Sequence, residues 1–415
     1  MSDESLGEKG PISADPALDA KVRVRALALI FFTVFLDILG FGILVPVIPF
    51  LVKPFDASAT VIGLLTMSYS IAQFLAAPVL GVLSDRYGRR PVLIISIFGA
   101  GLAYFAFGLA GALWVFFAAR IVDGLTGGNI SIAQAYIADV SPPADRAKNF
   151  GLIGAAFGAG FVFGPAIGGI VSHISLSAPA YLGAFLCLSS CVFAWFYLPE
   201  SLHKDRRVTA PFKRADFNPF MQLHGFVMRP DLTVNFITLL MLGIAMNVLR
   251  SNFAIYARDR LHFDPSHIGY LYAYLGIMVV TTQAGLVRHI APKLGNRVTA
   301  LIGFSSMMVG FGWMATVPGA TAMYAIMPLI AVGHGLCYPT ITALSSHAVG
   351  DAEQGGVMGA QQSVNSFAMI VGPLMAGWAF DALGPGAPYG ISVACLGFGL
   401  FLALRRLGVP KKLHA

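Results

Sequence analysis

Apolar residues run in long blocks through almost the whole chain, separated by short polar or basic breaks. A helix needs about 20 apolar residues to cross the hydrocarbon of a bilayer. Twelve blocks meet that length: 26–52, 59–83, 91–110, 112–137, 149–172, 179–198, 232–257, 267–289, 298–317, 321–347, 356–380 and 387–405. Backbone N–H and C=O groups in lipid must be satisfied within the segment, so each block is predicted to be a helix. The fold class is therefore an all-α membrane protein with twelve transmembrane helices.

Five ionisable side chains lie deep inside these blocks: Asp37 in the first, Arg120 and Asp123 in the fourth, Arg250 in the seventh and His334 in the tenth. A charge in a bilayer core costs at least a few kcal/mol, so such residues face water or a partner. Their recurrence on every third helix implies a repeated architecture around one polar path.

The longest interior break, 199–231, is basic and falls near the middle. It divides the chain into two six-helix bundles, 26–198 and 232–405, flanked by tails 1–25 (polar, disordered) and 406–415. A weak echo relates the halves. Gly-Arg-Arg at 88–90 recurs as Gly-Asn-Arg at 295–297, and Gly164-Pro165 recurs as Gly372-Pro373. Duplicated bundles with a site between them are a common plan for moving solutes across membranes.

Composition agrees. Of 415 residues 57% are hydrophobic and 11% charged, with mean hydropathy +0.75, whereas a soluble domain carries about 25% charge. The net charge of +7 is gathered in particular loops and not in a separate basic domain, so it reads as membrane topology and not as nucleic-acid binding. Arg86, Arg89, Arg90, Arg146, Lys148, Lys204, Arg206, Arg207, Lys213, Arg214, Arg229, Arg288, Lys293, Arg297 and the C-terminal Arg405, Arg406, Lys411 and Lys412 fall on the side of both termini. Only Lys53, Arg258 and Arg260 fall on the other. The positive-inside rule places both termini in the cytoplasm. Lys21, Arg23 and Arg25 before the first block look like the start of a signal peptide. The block is too long, lacks a small-residue cleavage site and contains Asp37, so it reads as a retained helix. Cys187, Cys191, Cys337 and Cys395 all lie in apolar blocks and imply neither a disulfide framework nor a metal site.

After the second block the chain reads Gly81-Val-Leu-Ser-Asp85-Arg86-Tyr-Gly88-Arg89-Arg90-Pro91. The fifth block carries Gly154, Gly158, Gly160, Gly164, Pro165, Gly168 and Gly169, many at spacings of four, which lets helices pack closely. The first carries Asp37, Gly40, Gly42, Pro46 and Pro49, and the fourth Arg120, Gly124, Gly127 and Gly128. In order and spacing these strings resemble the major facilitator superfamily. Within it they resemble the twelve-helix drug:proton antiporters, and tetracycline efflux proteins in particular, notably at Ala77 to Gly81, at Ala135 to Asp139 and at Arg146.

That resemblance implies a proton-coupled efflux antiporter working by alternating access, with antibiotic or multidrug export as its setting. It implies a bacterial inner membrane, a monomer, no cofactor beyond the proton, and helices 1, 4, 7 and 10 around the cavity. It implies that Asp85, Arg86 and Arg90 latch the cytoplasmic face, that helix 5 is a pliable seam, and that Arg120 takes part in proton transfer. The alternative is a symporter or exporter of an organic anion, sugar or metabolite. No nucleophile or metal cluster and no phosphate-binding Gly-x4-Gly-Lys loop is present, so neither an enzyme nor ATP drive is expected.

Residue by residue the alternatives stay open. Desolvation penalises the charged form of a carboxylate, so Asp37 suits proton coupling or contact with a substrate cation, against a structural role. Arg120 and Asp123, at i and i+3, share a helix face. They form a self-contained pair or a coupled proton site. Asp123 departs from the small apolar residue common in tetracycline exporters, which makes it a candidate specificity residue. Arg250 cannot easily lose its proton; it binds an anionic solute, pairs with Asp37 or Asp123, or snorkels outward. His334 is a proton relay or a hydrogen-bonded core histidine. Tyr69, Gln73, Asn129, Gln134, Asn247, Asn252, Gln283, Gln361 and Asn365 are the remaining intramembrane polar candidates, of which Tyr69, Gln73, Asn129, Asn247 and Asn365 are assigned to the substrate cavity.

Overall fold

A computed structural model describes residues 16–142, 145–203, 205, 207–208, 229–350 and 353–406. The helices are α1 Pro16–Leu44, α2 Ala59–Tyr87, α3 Arg89–Gly108, α4 in two segments, Leu113–Thr126 and Asn129–Val140, α5 Arg146–Val171 and α6 Ala178–Tyr197. The second half holds α7 Pro230–Arg260, α8 from Pro265–Thr281 on through 282–294, α9 over 296–315, α10 Met323–His347, α11 Gln354–Leu383 and α12 Ala387–Arg406. There is no strand among the described residues.

Ten helices among the described residues are long and apolar enough to cross a membrane. Two features separate that count from the expected twelve. Gly127 and Gly128, with ψ of 14° and 8°, divide α4 into pieces each too short alone. The stretch 265–315 runs on as one, interrupted by Gly295 at φ 79°, a conformation glycine adopts without steric penalty.

The tail expected to be disordered over 1–25 is helical from Pro16, because α1 extends beyond its apolar block into polar residues. Residues 1–15, the linker basics Lys204, Arg206, Lys213 and Arg214, and Lys411 and Lys412 lie outside the described residues.

Each half has its own core. In the first, Ile30, Leu93, Phe107, Phe116 and Tyr136 are fully buried. In the second, Phe236, Phe253, Phe304, Phe311 and Tyr389 are. Large apolar side chains such as Ile95, Trp114, Phe185, Trp195, Val309 and Trp378 face outward, as lipid solvation requires.

Helix α5 is the seam, and its glycines divide by face. A methyl added at Gly160, Gly164 or Gly168 would meet α1, at Ile38 (2.6 Å), Gly42 (2.8 Å) and the Ile43 carbonyl (2.0 Å). One at Gly158 or Gly169 would meet α8, at Val280 (3.3 Å) and the Pro265 carbonyl (2.7 Å). Gly154 meets nothing within 4 Å. The helix is unbroken through Pro165.

The halves meet at the end opposite the termini. Gly269 on α8 abuts the Pro165 carbonyl, Gly63 on α2 abuts the Pro373 carbonyl, and Gly377 on α11 abuts the Ala59 carbonyl. Ser266 Oγ donates to the Gly169 carbonyl (2.8 Å), and Arg258 donates to that of Pro49. Toward the terminal end, methyls at Gly151, Gly285 and Gly359 would meet nothing within 4 Å.

At the closed end Asp381 accepts from Ala59 N (3.1 Å), Thr60 N (2.7 Å) and Thr60 Oγ1 (2.6 Å), so a carboxylate from α11 caps the positive end of α2. It lies just past the apolar block that predicts helix 11 and was missed for that reason. Asp381→Asn removes the charge and one acceptor, at a cost of about 1 kcal/mol, typical of a lost cap. We expect faster alkylation of a cysteine introduced by Ala59→Cys in the variant; an unchanged rate would show the cap does not hold the halves together.

At the neighbouring corner Asp264 caps α8, accepting from His267 N (2.8 Å). Burial works against its charge, but the His267 hydrogen bonds prevail and hold the carboxyl below the usual range.

Candidate functional site

Three elements bring the first-half site together. Asp37 sits on α1, and Asn129, the first residue after the α4 break, donates a side-chain hydrogen bond to it. One turn from the break, Arg120 and Asp123 pair at 3.2 Å, with side chains only 4% and 6% exposed. Asp37 and Asp123 are close enough to interact electrostatically. The guanidinium of Arg120 lies over the rings of Phe107 (5.0 Å), Tyr69 (5.8 Å) and Phe41 (5.9 Å). Arg120 and Asp123 are thus paired in an aromatic enclosure, with the second carboxylate, Asp37, within electrostatic range of Asp123.

The α4 break positions this group. It frees the Gly127 carbonyl to accept from Gln73 Nε2 (2.8 Å), which also donates to Tyr69 Oη (2.9 Å). Glycine is needed there: methyls at Gly124 and Gly128 would meet the Tyr69 carbonyl (2.4 Å) and Leu80 (2.5 Å) of α2.

On the opposing wall, Arg250 of α7 lies 4.5 Å from the Phe161 ring centroid on α5 of the other half. Its own carbonyl accepts from Tyr272 Oη (3.0 Å). His334 of α10 stacks on Tyr338 at 5.8 Å, and its Nδ1 is buried with no hydrogen-bond partner. Phe161 packs edge-on against Phe41 (6.3 Å), and Phe41 against Tyr69 (5.5 Å), so an aromatic row links the two walls.

The pairing of Arg250 with Asp37 or Asp123, one of the alternatives, is not formed: no acid lies within 4.0 Å of it among the described residues. Asn247 donates to Gly243 of its own helix (2.8 Å) and packs beneath Gly372, so its amide is taken up within the second half. Asn365 lies beside Gly243 at that same α7–α11 contact. Phe41, Tyr104, Phe107, Phe161, Tyr272 and Tyr338 were missed. Phe41 and Tyr338 follow Asp37 and His334 by one turn, a same-face spacing that would have found them.

The motif at 81–90, whose candidates are Gly81, Asp85, Arg86, Gly88, Arg89 and Arg90, gathers its contacts around one residue. Its hub is Arg89, bonded to Asp85 (2.5 Å), Asp139 of α4 (3.2 Å) and Ser84 Oγ (2.7 Å). Glu200, just after α6, accepts from Arg89 N (2.9 Å), and Arg90 donates to the Trp195 carbonyl. Arg86 lies in the last turn of α2. Gly88, at φ 107°, makes the turn, whereas Gly81 has open space around it. These partners belong to the first half, so the contacts named here tie α2, α3, α4 and α6 together.

Arg89→Ala removes the charged partner of Asp85 and Asp139, leaving Asp139 only the Ser201 hydroxyl (3.0 Å), and costs about 2 kcal/mol, as for lost hydrogen bonds to charged groups. Arg89→Lys recovers little, because Lys is a point donor without the fork that reaches three partners. Thermal unfolding of the purified variants measures this; an unchanged midpoint for Arg89→Ala would contradict it.

A bundle of membrane-spanning helices, closed at one end around a buried polar site between two halves, defines a membrane transporter. The family profile described as Major Facilitator Superfamily matches residues 30–373, and the chain belongs to that superfamily. It is 35% identical to the Tetracycline resistance protein, class C, of Escherichia coli, over 85% of this chain and 88% of that one. It is 33% identical to the class G protein of Vibrio anguillarum, over 82% and 86%. Among solved structures it is similar to the human organic anion transporter MFSD10, with a TM-score of 0.70 at 23% identity, covering 92% and 99% of the two chains. The protein is therefore a multi-pass transporter of small molecules and not an enzyme.

Proposed function

We propose that this protein is a proton-coupled efflux antiporter. It exports a small hydrophobic or amphipathic compound by alternating access, as the names of its tetracycline-resistance relatives suggest. The observation that carries this is the first-half site. With Asp37 and Asp123 both ionised, a single Arg120 leaves one negative charge in excess in a desolvated aromatic setting. A proton cancels that charge, so proton and solute compete for one group, and uptake of the one accompanies release of the other. The bundles 26–198 and 232–405 rock about the α1–α5–α8 seam, joined by the linker 199–231. In this reading the protein is a monomer in the inner membrane; the basic loops support an orientation with both termini in the cytoplasm and the closed end outside.

A second reading, movement of an organic anion, is favoured by one observation: Arg250 faces the other half without an acid.

Proteoliposomes holding a lumenal pH dye test the main reading. Under an imposed proton gradient, tetracycline, a lipophilic cation and an organic anion are added in turn. Antiport predicts proton flux opposite to solute flux for at least one of them. Co-directional flux would establish symport, and no flux with any probe would sink the efflux assignment.

A further inference from the structure

Arg250 is a fixed positive charge that no acid among the described residues balances. A buried guanidinium ordinarily has a carboxylate, because desolvating an unpaired ion is unfavourable. Here the groups around it are Phe161, Tyr272, Tyr338 and His334, and none of them supplies a negative charge at neutral pH. The Phe161 ring offers only its quadrupole, a weaker attraction than an ion pair. Nearby, His334 Nδ1 is buried and has no partner, an orphan polar atom that calls for a ligand or water. The Tyr338 ring stacks on His334, bringing a hydroxyl from the same helix face. A cation, an orphaned ring nitrogen and a phenol thus converge beside an aromatic row running from Phe161 through Phe41 to Tyr69.

We propose that Arg250, His334 and Tyr338 form a subsite for the anionic group of the transported solute, and that Phe161 and Phe41 take its planar apolar body. The solute class is a monovalent organic anion with an aromatic or polycyclic frame, its charge being a carboxylate, enolate or sulfonate. Arg250 presents paired N–H donors that match the two oxygens of such a group. Opposite it, the carboxylates Asp37 and Asp123 repel a second negative charge, which restricts the solute to one anionic end. The assignment rests on the reading that a solute is carried between the halves. It names the chemistry of that solute and does not depend on the direction of proton coupling.

Equilibrium binding tests it without any gradient. The full-length protein in lipid nanodiscs is titrated with radiolabelled benzoate, p-aminohippurate and cholate, each beside its neutral methyl ester. The expected result is that at least one acid binds at least tenfold more tightly than its ester. Arg250→Gln should bring the acid-to-ester binding ratio to about one, and Arg250→Lys should restore part of the preference. Tyr338→Phe should weaken the acid several-fold. Should Arg250→Gln fail to fold, the acid-to-ester ratio in the wild type and in Tyr338→Phe still decides. Equal binding of acid and ester, no binding of any acid, or an Arg250→Gln protein that keeps the preference would each overturn the proposal. Charge-selective binding in a protein that shows no proton flux would leave the subsite standing and remove the antiport reading instead.

Discussion

Asp37→Asn is expected to yield a folded, membrane-inserted protein whose substrate-dependent proton flux is lowered by roughly 100-fold or more, the lower range for removing a proton-transferring side chain. The substitution is nearly isosteric, and an asparagine oxygen at that position can still accept from Asn129. What is lost is the titratable charge in excess over Arg120. The proteoliposome assay separates the two effects: downhill solute movement persists, and the proton gradient no longer drives accumulation. Flux within about twofold of wild type would move the coupling role to Asp123 and leave Asp37 a helix-packing residue.

Arg120→Leu should give the largest loss of stability. Its partner Asp123 is almost wholly inaccessible, and Asp37 interacts electrostatically with it, so removal of the guanidinium leaves like charges in a desolvated space. Breaking a buried pair from one side costs about 3–5 kcal/mol. The rings of Phe107, Tyr69 and Phe41 that surround the guanidinium cannot replace it, because their faces are themselves electron-rich. Arg120→Leu/Asp123→Asn should recover most of the loss, since the charge it strands is then gone. A double-mutant cycle on thermal unfolding in detergent measures the coupling. If the double variant is as unstable as Arg120→Leu, the arginine acts through packing against the rings and not through Asp123.

Much of this was legible in the chain. Block length set the helices, because lipid leaves the backbone no other way to satisfy its hydrogen bonds. The intramembrane charges set which helices line the centre, because the bilayer penalises them anywhere else. The glycines of α5 from Gly158 to Gly169 are close-packing positions as read, though Gly154 is not, and only tertiary structure divides them between α1 and α8.

The misreadings have physical causes. Within the motif Asp85, Arg86, Gly88, Arg89 and Arg90, sequence spacing cannot say which guanidinium reaches Asp139 of α4; the turn at Gly88 gives that place to Arg89. The helix at 16–25 was hidden by polar residues that carry no membrane signal. Asp381 was invisible because its partners lie more than 300 residues away, on α2.

By itself, then, the sequence determined the all-helical membrane fold, the two halves, the family and the identity of the buried charges. All of these follow from the solvent each residue tolerates, which is a property of the residue alone. Tertiary structure decided the pairing of those charges. It paired Arg120 with Asp123 and brought Asp37 within electrostatic range of Asp123, left Arg250 without an acid among the described residues, and joined the halves through Asp381 at one end. Electrostatic balance depends on distances between segments far apart in the chain, and only packing sets those distances.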